Sequence, residues 1–308
     1  AEFDFTASEG KYPYYLVQLL DSQELLIELG DQDAQTKVVS NTKYFKGKEN
    51  LEEKNGFNLD TEGELSSYFR VQGLKYECAV GMMKQQGKYY WYSTNSEGDK
   101  NEIAYDKAFA NVDYRTEQPI ALEPPQSKNP GIKLNPYFPI KEIALSNGDK
   151  ALVFEKQDGW IMPRGGLDLD YTGNIVVMVL SPEGVMKNVY KFAIQQRSDG
   201  AQSILGALIW YDGDQIHFLY NGNEENFDST GKFKGIDERD IKKTKNNVIV
   251  HGEMNMESGK VERKMIDQTE WGKTFLITSK SYVDEDRKQL VIFGYKGSKT
   301  YIGETKFL

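Results

Sequence analysis

Leu208-Ile209-Trp210-Tyr211-Asp212-Gly213-Asp214-Gln215-Ile216-His217-Phe218-Leu219-Tyr220 is the stretch that decides the fold class. Two apolar runs rich in β-branched and aromatic residues flank Asp-Gly-Asp. Strands favour such residues, and a tight hairpin turn needs positive φ, which Gly, Asn and Asp reach at low cost. The same grammar recurs along the chain. Tyr14 to Val17 passes through Asp21-Ser22-Gln23 to Leu25-Leu26-Ile27, and Val80 to Met83 passes through Gln85-Gln86-Gly87 to Tyr89-Tyr90-Trp91-Tyr92. Ile143 to Leu145 turns at Ser146-Asn147-Gly148-Asp149 into Ala151 to Phe154, and Tyr282-Val283 turns at Asp284-Glu285-Asp286 into Leu290 to Phe293. Helical periodicity is almost absent, so the chain is expected to be all-β.

Taken at 22, 86, 148, 213 and 286, the turn tips are 64, 62, 65 and 73 residues apart. Further hairpins fall between them: Ile175 to Leu180 turns at Ser181-Pro182-Glu183-Gly184, and Val248 to Met256 turns at Glu257-Ser258-Gly259. Two hairpins per repeat make four strands, the unit of a β-propeller blade. The expectation is a single domain, residues 1–308, of about five four-stranded blades in one closed ring; a large β-sandwich is the alternative. A lone blade is too small to be stable and must bury its faces on its neighbours, which accounts for apolar runs that are continuous rather than alternating. The polar stretches 46–55, 117–135 and 221–247 are expected as rim loops, and Pro124, Pro125, Pro130, Pro136 and Pro139 stiffen the middle one. The terminal runs Phe3 to Phe5 and Lys299 to Leu308 are expected to share a blade, closing the ring.

Composition narrows the function. With 38 basic against 47 acidic residues the net charge is −9, the wrong sign for a phosphate-binding face, so no nucleic-acid partner is expected. One Cys and two His exclude a disulfide framework and a Cys/His zinc cluster. Cys78, within an alternating stretch, reads as a buried thiol. No apolar run is long enough to span a membrane as a helix. The chain opens on Ala1-Glu2-Phe3 without Met, which points to a removed leader and an exported protein.

The segment Asn174 to Phe192, and Ile209 to Asn223 with its Asp-Gly-Asp turn and Phe218-Leu219-Tyr220-Asn221-Gly222-Asn223, resemble secreted Bacteroidetes proteins of unknown function. The likeness covers residues 140–308. It implies an exported envelope protein of propeller type, in the periplasm or on the surface of a Gram-negative cell, and no particular activity.

Chemistry is sparse. A five-bladed propeller of this length also resembles the furanosidase-type glycoside hydrolases, which converge carboxylates on a central funnel. Asp4, Glu123 and Asp168 could be proposed, but Asp4 lacks the Arg-Asp-Pro context and Glu123-Pro124-Pro125 matches the acid's surroundings poorly. Asp168, Asp170 and Thr172 place oxygen donors at alternate positions before Gly173, as a calcium loop would, although Val179 stands where the bidentate Glu belongs. The competing reading is a turn feeding a strand that starts at Asn174. Trp160-Ile161-Met162-Pro163-Arg164-Gly165-Gly166 combines residues common on contact loops, so Trp160, Arg164 and the nearby Tyr171 are the partner-binding candidates. His217 and His251 lie within apolar strands with no acidic partner in local register and read as satisfied strand histidines. The expected function is a non-enzymatic propeller that binds another envelope protein, an outer-membrane complex included. The alternatives are a glycoside hydrolase and a glycan-binding module with tyrosines as stacking platforms.

Overall fold

The computed structural model describes residues 6–19, 25–33, 39–48, 50–54, 64–71, 73–76, 78–86, 88–104, 137–160, 169–194, 196–199, 204–234, 246–266, 274–285 and 287–306. These residues form 21 β-strands in five antiparallel sheets, with a turn of 3-10 helix at Glu224–Asn226 and no α-helix among them. Sheet one is β1 (Lys11–Leu19), β2 (Leu25–Asp33), β3 (Val39–Gly47) and β4 (Glu52–Lys54), paired in chain order. Sheet two is β5 (Glu64–Val71), β6 (Cys78–Gln85), β7 (Lys88–Asn95) and β8 (Lys100–Ala104). Sheet three is β9 (Tyr137–Ala144), β10 (Lys150–Trp160), β11 (Leu169–Leu180) and β12 (Met186–Phe192), with β13 (Gln196–Asp199) on the far end of β11. Sheet four is β14 (Ala207–Tyr211), β15 (Gln215–Asn223), β16 (Asn247–Asn255) and β17 (Val261–Met265).

Sheet five is narrower. Its centre, β20 (Gln289–Lys296), carries β21 (Lys299–Lys306) along one edge, while β18 (Phe275–Leu276) and β19 (Tyr282–Asp284) share the other edge end to end. The hairpin grammar of the sequence is therefore realised in all five units. Gly213 at φ 115° and Gly184 at φ 83° sit where turns demand the left-handed region.

The sheets stack face to face in chain order, and residue alternation on the strands dictates this. On β10, Ala151 and Val153 enter a core shared with sheet four, while Leu152 and Phe154 enter a core shared with sheet two. On β11, Ile175, Val177 and Val179 go one way and Val176, Met178 and Leu180 the other. Sheet three is thus covered on both faces, as its continuous apolar runs require. Phe192 stacks on Phe218 between sheets three and four, with ring centroids 4.0 Å apart. Leu208, Trp210, Leu219 and Ile249 of sheet four pack against Leu276 and Leu290 of sheet five. Sheets one and two are joined by a buried ion pair, Arg70 Nε to Glu28 Oε2 at 3.1 Å.

Three expectations need correction. The tip at Gln86 joins the second and third strands of its sheet, whereas those at 148 and 213 join first and second strands, so the even spacing counted two kinds of turn as one. The turns at one end interlock: Lys75 N donates to Pro182 O and Asn95 Nδ2 to Glu183 O. Residues 169–173 are strand rather than turn, and 169–172 lie in register with both β10 and β13. Asn221–Asn223 and Asn247 are buried strand residues, not rim loop, because their side chains bridge to neighbouring backbone. Of the two terminal runs expected to share a blade, Lys299–Lys306 is β21, which the tight turn at Gly297 folds straight back onto β20. Phe3 to Phe5, Phe307, Leu308 and the stretch 117–135 lie outside the described residues.

Candidate functional site

The turn Asp212-Gly213-Asp214 places a charged group at the end of sheet four. Backbone amides of Asp214 and Gln215 donate to Asp212 Oδ1 at 2.9 Å each. Burial works against ionisation of this carboxyl, yet those two amides and His217 outweigh it and hold its pKa below the ordinary value. Neighbouring turns tie in: the Tyr211 hydroxyl donates to Gly213 O, and Ser146 Oγ of sheet three donates to the same carbonyl at 3.1 Å. A cleft of about 200 Å³ opens here, lined by Glu142, Ile143, Ala144, Tyr211, Asp212, Glu285 and Lys288. Its charged walls are braced: Lys141 reaches Glu285 at 2.7 Å and Ile209 O at 2.8 Å, and Lys150 reaches Glu142 at 2.9 Å.

Behind Asp212 runs a line of polar side chains on the face of sheet four that meets sheet five. Strand alternation aims Trp210, His217, His251 and Glu253 to one side, with Trp210 and Glu253 directly opposite His217 on the two flanking strands. Asp212 Oδ2 lies 2.8 Å from His217 Nε2, His217 Nδ1 lies 3.0 Å from His251 Nε2, and His251 Nδ1 lies 3.3 Å from Glu253 Oε1. Lys264 Nζ closes the line on Glu253 Oε1 at 3.1 Å. The imidazole centroids are 5.2 Å apart and the planes differ by 12°; at that spacing a 3.0 Å nitrogen approach requires the ring edges to point at each other. The Trp210 indole lies parallel to both, with centroids 4.9 and 5.5 Å away.

Proton counting gives this line its character. Each of the three gaps from Asp212 to Glu253 needs one proton, and two neutral imidazoles carry only two. One gap then holds facing lone pairs until a third proton or another cation fills it. Burial, chiefly, drives the pKa of His251 down to about 4, with Glu253 opposing and His217 and Lys264 reinforcing the effect, so a second proton on that ring is resisted. His217, His251 and Glu253 each offer one ligand atom within 4.8 Å of the others, a grouping able to hold a metal ion.

The residues singled out from sequence lie elsewhere. Trp160 ends β10, opposite Leu169, and the backbone of Tyr171 pairs with Asp158 and Arg197 at the second-to-third-strand end of sheet three. Asp170 and Thr172 sit on that same strand, while Arg164, Asp168, Asp4 and Glu123 lie outside the described residues. Cys78 is fully buried, as the pattern suggested; its thiol donates to Gly184 O at 3.2 Å, and burial pushes its pKa up to about 12. The histidines did have acidic partners. His251-x-Glu253 shares a strand face by simple alternation, and that signal was legible; the Asp212–His217 contact needs the hairpin's register.

No family model and no curated protein matches the chain. Among solved structures it is similar to an endo-arabinase from Bacteroides thetaiotaomicron, with 9% identity over 100% of this chain and 98% of that one, at a TM-score of 0.30. It is similar also to a mannose phosphorylase from Leishmania mexicana, with 9% identity over 95% of this chain and 82% of that one, at a TM-score of 0.28. Likenesses of this size say nothing about activity, and the architecture rests on the sheets themselves. No helix among the described residues is long and apolar enough to cross a membrane.

Proposed function

We propose that the five sheets close into one ring and that the ring is a binding protein for another protein of the cell envelope. Closure is supported by two apolar faces at the ends of the stack. Tyr15 and Val17, 72% and 60% exposed, lie opposite Leu29 and Ile27 on the face of sheet one turned away from sheet two. Ile302, 66% exposed, lies opposite Phe293 on the face of sheet five turned away from sheet four, with Tyr282 beside it. Each face completes what the other lacks, and joining them removes apolar surface from water. In a Tyr15→Cys, Ile302→Cys variant, a short thiol cross-linker should join the two within one chain, since the natural Cys78 is buried. Cross-linking only between chains would sink the ring.

The observation that carries the binding role is the cleft beside Asp212. Its carboxylates are already held by partners, Glu142 by Lys150, Glu285 by Lys141 and Asp212 by His217, an arrangement that presents fixed polar groups to a ligand with little ordering cost. At about 200 Å³ it is smaller than the ~300 Å³ where pockets for drug-sized ligands begin. That volume suits a side chain or chain terminus of a partner rather than a polymer. The test is capture of a partner from the envelope fraction of the source cells. A Glu285→Lys, Tyr211→Phe variant of unchanged melting temperature should lose it. Equal recovery by both proteins, or turnover of furanoside reporters by the unaltered chain, would overturn the reading.

A further inference from the structure

We propose that His217, His251 and Glu253 form a site for one divalent transition-metal ion of the zinc class. The geometry is that of a metal site at both levels of its shell. Metal-binding imidazoles characteristically hold a carboxylate on the nitrogen that faces away from the ion, which fixes the ring and leaves the other lone pair pointing inward. Asp212 does this for His217, at 2.8 Å from Nε2, and aims Nδ1 at His251. Glu253 stands at 3.3 Å from Nδ1 of His251, whose Nε2 faces His217. Two nitrogens therefore converge on one point, from neighbouring strands, with a carboxylate alongside.

Distances and charge agree. Two imidazole nitrogens on a tetrahedral zinc ion at its usual bond length stand about 3.3 Å apart. Here they stand 3.0 Å apart with their edges turned toward each other, so entry of the ion asks each ring to pivot in its own plane until both lone pairs meet beside the line between the nitrogens. The missing positive charge identified by proton counting is the charge an ion would bring. Asp212 and Glu253 together offset a dication, and Lys264 is placed to follow Glu253 if the carboxylate swings toward the ion. The parallel Trp210 ring covers both imidazoles and keeps their planes aligned. Once Glu253 leaves Nδ1 of His251 and turns to the ion as third ligand, one position stays open to water or an incoming group.

The test uses the full chain freed of metal by a chelator, then titrated with zinc(II) and, for a visible signal, cobalt(II). The expected result is one ion per chain, a rise in melting temperature with zinc, and cobalt absorption bands of low-coordinate type. His251→Gln should weaken binding at least 100-fold, and Asp212→Asn, which keeps the ligands but loosens the ring, by 10- to 100-fold. Should those variants not fold, a paramagnetic probe, copper(II) in the unaltered chain, reads nitrogen coupling from two imidazoles directly. Absence of uptake at millimolar zinc, or uptake with no imidazole coupling, overturns the site and leaves a proton in the gap between the rings.

Discussion

Replacing Gly252 by alanine tests the face-to-face stacking of sheets three and four at its tightest point. Gly252 lies on β16, and a Cβ built there would meet Phe192 Cζ at 2.4 Å and Cε2 at 2.6 Å. The phenyl ring has nowhere to go. It is stacked on Phe218, edge-on to Tyr220 at 5.7 Å, and covered by the Arg263 guanidinium at 4.4 Å. Overpacking a close-fitted core costs about 1–3 kcal/mol, and the locked ring argues for the upper half of that range. Against it stands the entropy that alanine saves in the unfolded chain, about 0.5–1 kcal/mol. The strain wins, leaving a net loss of about 2 kcal/mol. For a chain of this size that lowers the melting temperature by about 3 °C. Thermal and urea unfolding of the single variants and of Gly252→Ala with Phe192→Leu complete a double-mutant cycle, with an expected coupling above about 1 kcal/mol because the smaller side chain relieves the clash. An alanine variant as stable as the parent, or more so, would mean that entropy alone acts and that the two sheets do not meet as described.

Two further outcomes are expected. Cys78 should resist alkylation at pH 8 in the folded protein and react on unfolding. Because its folded pKa is raised to about 12 from 9.0, the unfolded chain loses this proton first, so the thiol's contribution to stability is whole below pH 9 and declines as pH rises. At pH 10 that decline is about 1.4 kcal/mol, and it should vanish in Cys78→Ala; an unchanged alkaline slope would refute it. Asn221→Ala should cost about 3 kcal/mol, since the buried amide bonds Leu276 N and O at 2.8 and 2.7 Å and Ile204 O at 2.8 Å. Hydrogen exchange at Phe275 and Leu276 should accelerate before the rest of sheet five, and uniform exchange throughout would count against this bridge.

Local chemistry made most of the strands legible. The turns at Gly148, Gly184, Gly213 and Gly259 all fall where the sequence puts them, each with the positive φ that glycine permits. The phase of sheet two was not legible, because a hairpin between second and third strands looks the same as one between first and second. Gln86 carries a φ of 49° without being glycine, and nothing in its neighbours marks which end of the sheet it turns. Asn221 misled for another reason: a polar residue reads as loop until its partners are known, and those partners come from β18, 55 residues later. The site at Asp212 was hidden by the same long-range register. Its histidines were visible one at a time, but their meeting depends on how β15 and β16 align.

The double allegiance of sheet three bears on how this gene can change length. Along β10 and β11 successive residues belong to different cores, so removing one codon among 151–154 or 175–180 would trade the contents of two interfaces at once. Phe154 would be driven toward sheet four, and Val153 would be left to fill its place against Trp91. Substitution can proceed there one position at a time, whereas a change in length survives only where a bulge absorbs it, as the register shifts at Val153/Phe154 and Val179/Leu180 do. Sheet three is thus the stiffest frame in the molecule against which length can vary, and the connections between strands are the freest.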